Sequence, residues 1–124
     1  MTEASSASEA DSDEAVLFDL LADEYARTIL VATSREAMSA KTLSERYEMS
    51  LPTVYRRVER LEAFDFLVER TEIDTSGGHH HSVYEANLDH IGIDLEDGDF
   101  DIEVRLREDA ADRFTRLWQE MRGG

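Results

Sequence analysis

The stretch from Ser39 to Arg70, SAKTLSERYEMSLPTVYRRVERLEAFDFLVER, decides the fold. Ser39 predicts an N-cap for a short helix that turns Leu43 and Tyr47 toward a core, because a serine oxygen accepts one of the orphan amides of a first turn. A turn at Glu48 and Met49 follows. Ser50 predicts a second cap, and Pro52 is tolerated just inside that helix, where the first turn has no backbone donor to lose. Two short helices across a tight turn form a helix-turn-helix pattern.

On a wheel of about 100° per residue, Leu51, Val54, Val58 and Leu61 fall within about 80° of one another and predict the buried face. Pro52, Thr53, Arg56, Glu59 and Arg60 lie opposite, with Tyr55 and Arg57 on the flanks. Such an outward surface suits a DNA major groove. An arginine fork bonds guanine O6 and N7, and a threonine methyl meets a thymine methyl. Arg56 and Thr53 are the expected base readers, and Ser50, Tyr55, Arg57 and Arg60 the expected phosphate contacts. Pro52, Lys41 and Arg70 complete this expected DNA-facing set, together with the histidines described next.

Downstream, Phe66 to Asp74 and Ser82 to Leu88 alternate imperfectly around Thr75-Ser76-Gly77-Gly78-His79-His80-His81. This predicts a strand, a loose tip and a returning strand, the outline of a wing. His79, His80 and His81 are expected at the tip, near a minor groove or phosphate. Imidazoles also bind divalent metals, but three consecutive residues of a regular strand cannot all aim at one ion, so no metal or cofactor is assigned. Gly77-Gly78 lacks the helix-linked context of a phosphate loop and reads as a turn. A second alternating pair, Ile91, Ile93, Leu95 and then Phe100, Ile102, Val104, Leu106, surrounds Asp97-Gly98, a strong hairpin signal.

Upstream, residues 1–13 (MTEASSASEADSD) are small, polar and acidic, and predict a flexible tail. From Glu14, Leu17, Leu20 and Leu21, then Tyr25, Ile29 and Leu30, recur at helical spacing, with Asp23 as a cap between two helices. The first helix is apolar around more of its circumference than one core-facing stripe needs. That predicts a dimer interface through Leu17, Phe18 and Leu21. At the other end Glu108 and Asp109 open a helix with Phe114, Leu117, Trp118 and Met121 on one face, a second expected dimer element. The expected organisation is an acidic tail (1–13), a DNA-binding domain (14–90), and a hairpin with a C-terminal dimerisation helix (91–124).

Composition sets limits and raises one objection. The chain has 124 residues, 29 acidic against 13 basic side chains, a formal net charge of −16, and no cysteine. Disulfides, thiolate metal sites and thiol redox sensing are thereby excluded. No run approaches the length of a membrane span and no signal-peptide pattern opens the chain, which predicts a soluble cytoplasmic protein. No nucleophile elbow or zincin arrangement is present, so an enzyme is not expected. An acidic chain ordinarily repels DNA. Yet a single lysine against 12 arginines, with carboxylates spread along the chain, is the style of a halophilic protein. Residues 41–60 also carry net +2, against −7 for 1–40 and −11 for 61–124.

From about Leu17 to Glu85 the chain resembles the ArsR-type and PadR-type winged-helix regulators, particularly those of haloarchaea. The resemblance is carried by LADEYARTIL (21–30), LSERYEMSLPTVYRRV (43–58) and LEAFDFLV (61–68). It implies an α+β winged helix-turn-helix that binds a pseudo-palindromic DNA site as a homodimer, with one recognition helix per half-site. Two family glycines are replaced, by Glu48 in the turn and by Asp65 after the recognition helix. A left-handed backbone costs Glu roughly 1 kcal/mol, so a differently shaped turn is expected. The cysteine metal site of the ArsR founders is absent. The expected function is transcription regulation, open to a stress signal and to cations drawn from a salty cytoplasm. The alternative is a winged helix that serves protein–protein contacts in the transcription machinery.

Overall fold

The computed structural model describes residues 4–74 and 79–108. Among these it is an α+β fold of four helices and two antiparallel hairpins, in the order α1 (Ala4–Ala22), α2 (Glu24–Arg35), α3 (Ala40–Tyr47), α4 (Leu51–Ala63), β1 (Leu67–Asp74), β2 (His79–Ala86), β3 (Leu88–Glu96) and β4 (Asp99–Leu106). No helix among the described residues is long and apolar enough to cross a membrane.

Each expected cap is made. The side chains of Asp23, Ser39 and Ser50 accept from the amides of Ala26, Thr42 and Thr53, and all three caps have extended backbone. Ser39 Oγ also donates to Thr42 Oγ1 at 3.0 Å, and Ser50 Oγ to Thr53 Oγ1 at 2.9 Å, so α3 and α4 start with the same Ser-x-x-Thr device. α1 begins at Ala4, not after residue 13 as expected. Its added residues are Ala, Ser, Glu and Asp with no Gly or Pro, a composition that permits helix without apolar periodicity. Periodicity marks packing, which is why it pointed only to the later half.

The turn between α3 and α4 keeps the shape a glycine would give it. Glu48 sits at φ 55°, ψ 48°, and Met49 N–H returns to the Ser44 carbonyl at 3.1 Å. Asp65 is also left-handed, at φ 60°. There the Asp65 and Phe66 amides reach the Glu62 and Leu61 carbonyls, each at 2.9 Å, which is a Schellman ending. Buried Phe66 and Leu61 lock it. The expectation of a different turn is therefore corrected: the left-handed Glu48 lets its own amide and that of Met49 both return to the Ser44 carbonyl of α3.

The core gathers Leu17 and Leu20 of α1, Ile29 of α2, Leu43 of α3, Val54, Val58 and Leu61 of α4, and Phe66, Leu67 and Tyr84 beside the first hairpin. β1 and β2 pair from Leu67↔Ala86 to Asp74↔His79, and Met38 adds a bridge to Tyr84 on the far side of β2. His79, His80 and His81 thus belong to a paired strand, not to a loose tip as expected, since they pair in register with Asp74, Ile73 and Glu72 of β1. β3 and β4 form a separate two-stranded sheet, closed by Asp97 (φ 52°) and Gly98 (φ 81°). Two successive positive φ angles are the signature of the tight hairpin turn that Asp-Gly favours.

Residues 75–78 and the expected C-terminal helix, with Phe114, Leu117, Trp118 and Met121, lie outside the described residues. The expected α1 interface needs correction. Leu17 is buried in the chain's own core and Leu21 packs against it, while Phe18 meets Phe100 of β4 edge-on with centroids 6.0 Å apart. The apolar girth of α1 is largely used inside one chain.

Candidate nucleic-acid interface

α4 divides into two faces much as the wheel predicts. Val54, Val58 and Leu61 are buried, whereas Pro52, Tyr55, Arg56 and Glu59 are exposed, and Thr53 and Arg60 are half-buried. Leu51 departs from the expectation, being 41 % exposed. It occupies the first position of the helix, and buried Met49 closes that end of the core instead. Thr53 Oγ1 accepts from Ser50, so its rotamer is set by the cap while its own proton stays free to donate. Among the described residues, Lys41, Arg56 and Arg60 make no ion pair.

Arg57 is the main correction to the expected phosphate contacts. Its Nε donates to Asp23 Oδ2 at 2.7 Å, and its guanidinium carbon lies 5.6 Å from the centroid of the Tyr25 ring. With side-chain exposures of 22 % and 15 %, Arg57 and Asp23 form a partly buried clamp between α4 and the start of α2. Burial pushes the Asp23 carboxyl up, but the Ala26 amide, the Arg57 charge and hydrogen bond, and the Tyr25 amide together hold it below its ordinary pKa. The wheel put Arg57 on a flank. It could not show that α2 covers that flank.

A cleft of about 550 Å³ opens between the start of α3, the middle of α4 and β2, lined by Ser39, Lys41, Tyr55, His81, Ser82 and Tyr84 among others. It brings together three residues expected to face DNA, Lys41, Tyr55 and His81, that lie far apart in sequence. Tyr84 stays protonated through the neutral range: burial raises its pKa, and Glu69, Glu62 and Tyr55 raise it further. Beyond the cleft, Ser82 Oγ donates to Glu69 at 2.5 Å and His81 Nε2 lies 3.6 Å from Glu72, its direct cross-strand partner. Arg70 bonds Glu85 across the hairpin, so it is engaged within the sheet.

The hairpin β1–β2 therefore stands beside α4 with its basic and acidic side chains interleaved, whereas the outward face of α4 carries Arg56 and Arg60. Among the described residues, no group of three or more His, Asp or Glu side chains has a metal-binding arrangement. No family model matches the chain, and no curated protein matches it.

Proposed function

We propose that this chain is a sequence-specific DNA-binding transcription regulator, a winged helix-turn-helix protein of the ArsR/PadR-like kind that works as a homodimer at high salt. In this reading α4 is the recognition helix, α3 its partner, and β1–β2 the wing. The observation that carries it is the outward face of α4: Arg56 exposed and Arg60 half-buried, neither ion-paired among the described residues, next to Thr53, within a net-positive stretch of a chain of net charge −16. Arg56 and Thr53 read base edges. Lys41, Tyr55 and His81, grouped around one cleft, hold the sugar-phosphate backbone.

The acidity bears on salt. Counterion release drives association at low salt and loses its force once bulk salt is molar. Cations held between protein carboxylates and phosphates make affinity nearly independent of KCl, or raise it, between roughly 1 and 3 M. The test is a binding titration of native promoter fragments against random duplex near molar KCl. Preference for promoter fragments, lost in Arg56→Ala, supports the reading. Equal binding to both duplexes, unchanged by Arg56→Ala, overturns it.

A further inference from the structure

We propose that the apolar face of hairpin β3–β4 is the surface through which two copies of this chain associate, an inference that rests on the homodimer in the reading above. Directly opposed residues of an antiparallel pair share a face. The register therefore puts Ile91 and Val104, Ile93 and Ile102, and Leu95 and Phe100 on one side of the hairpin. His90 and Arg105, Gly92 and Glu103, Asp94 and Asp101, and Glu96 and Asp99 fall on the other. One side has no ionisable group; the other has five carboxylates besides Arg105 and His90.

Ile91 and Ile102 on this side, with Leu106 at the end of β4, pack against the core. The rest of the face has less cover. Ile93 is 47 %, Leu95 70 %, Phe100 52 % and Val104 40 % exposed, with Phe18 of α1 meeting one edge of Phe100. A two-stranded hairpin is marginal alone and gains stability when its apolar face is covered. In α1, the surface first expected to serve a partner, Leu17, Phe18, Leu20 and Leu21 are engaged inside the chain and Val16 is exposed.

Charge selects the occupant. Two chains of net charge −16 repel wherever carboxylates face each other. Apposing two uncharged hairpin faces turns both acidic faces outward, so this contact brings no carboxylates of the hairpin face to face. A basic partner would be drawn to the opposite side of the same hairpin. Homodimer contacts are also the more apolar class of interface.

The experiment uses the full chain in about 2 M KCl, where surface charge is strongly screened, and compares wild type with Leu95→Glu, Ile93→Glu and the reverse-face control Asp94→Asn by sedimentation equilibrium and thermal melting. The proposal expects a wild-type dimer and a dissociation constant raised on the order of a hundredfold by a carboxylate on the apolar face. Asp94→Asn should leave that constant unchanged. Because the chain has no cysteine, a spin label on Asp97→Cys reports the spacing of the two hairpin turns. One defined distance, abolished by Leu95→Glu, is expected. A monomeric wild type, an unchanged constant in both Glu variants, or no defined distance between labels overturns the proposal. So does a fall in melting temperature with association unaltered, the sign that residues 109–124 of the same chain cover the face. Arg56→Ala separates the two readings. A hairpin dimer without promoter preference defeats the regulator reading alone, and promoter preference with an unchanged dimer constant in the Glu variants defeats this one alone.

Discussion

Asn87 and Glu108 bond to each other twice: Asn87 Nδ2 donates to the Glu108 carbonyl at 2.8 Å, and the Glu108 amide donates to Asn87 Oδ1 at 3.0 Å. The same Nδ2 also donates to the Asp65 carbonyl at 3.0 Å. The backbone of Asn87 bonds Phe66 and Arg107, each at 2.7 Å. One amide side chain, on a residue only 3 % exposed, thus joins the end of α4, the end of β2 and the point where the chain leaves β4.

Removing it takes a hydrogen-bond partner from the half-buried Glu108 amide, from the Glu108 carbonyl and from the Asp65 carbonyl. Asn87→Ala should destabilise the protein by about 2–3 kcal/mol, measured by denaturant titration at constant salt. A loss under about 0.5 kcal/mol would show that water replaces the amide.

Glu48 tests the left-handed turn. Glu48→Gly relieves a conformation that L side chains disfavour, offset partly by the greater freedom of glycine in the unfolded chain. A net gain of about 0.5–1 kcal/mol is expected. Asp65→Gly should gain less, because a short carboxylate tolerates this region better. Equal melting temperatures for wild type and Glu48→Gly would count against strain at the turn.

The Asp23–Arg57 clamp carries a pH signature. The folded pKa of Asp23 lies below its ordinary value, so its contribution is fully present above the unfolded carboxylate pKa of about 3.9 and is lost as pH falls through the folded value. Asp23→Asn should cost roughly 1–2 kcal/mol at neutral pH. The gap between variant and wild type should close below about pH 4. A gap that persists in acid would mean that the cap, not the charge, is responsible.

Glu62 has the opposite sign. Burial, then Glu69 and Glu59, raise its folded pKa, so the folded state resists its ionisation and loses stability as pH rises through the folded value. Glu62→Gln should melt higher than wild type at pH 7 and no higher in the range where both folded and unfolded Glu62 are protonated. A lower melting point at neutral pH would contradict this.

Local chemistry was the most legible part of the sequence. The caps at Asp23, Ser39 and Ser50 and the Asp97-Gly98 turn each depend on a few adjacent residues, and each forms as expected. The inward set Val54, Val58 and Leu61 was legible for the same reason. What escaped depends on neighbours distant in sequence. Arg57 reads as an outward cation until Asp23, the cap of another helix, takes its Nε. Phe18 reads as a partner-facing residue until Phe100, far along the chain, meets its ring. The grouping of Lys41, Tyr55 and His81 around one cleft follows from β2 lying beside α3 and α4, which no spacing along the chain encodes.

The Met38–Tyr84 bridge has a consequence on the timescale of hydrogen exchange. Tyr84 N–H donates to the Met38 carbonyl at 2.7 Å and Met38 N–H to the Tyr84 carbonyl at 3.0 Å, closing a loop that contains α3, α4 and β1. Fraying at the outer ends of the strand pairs does not open that pair, since both residues are also buried in the core. Their amides can meet solvent only when the helices between them come apart. These two protons are the natural clock for whole-molecule opening, while the amides near Asp97 and Gly98 record the faster motions of a single turn.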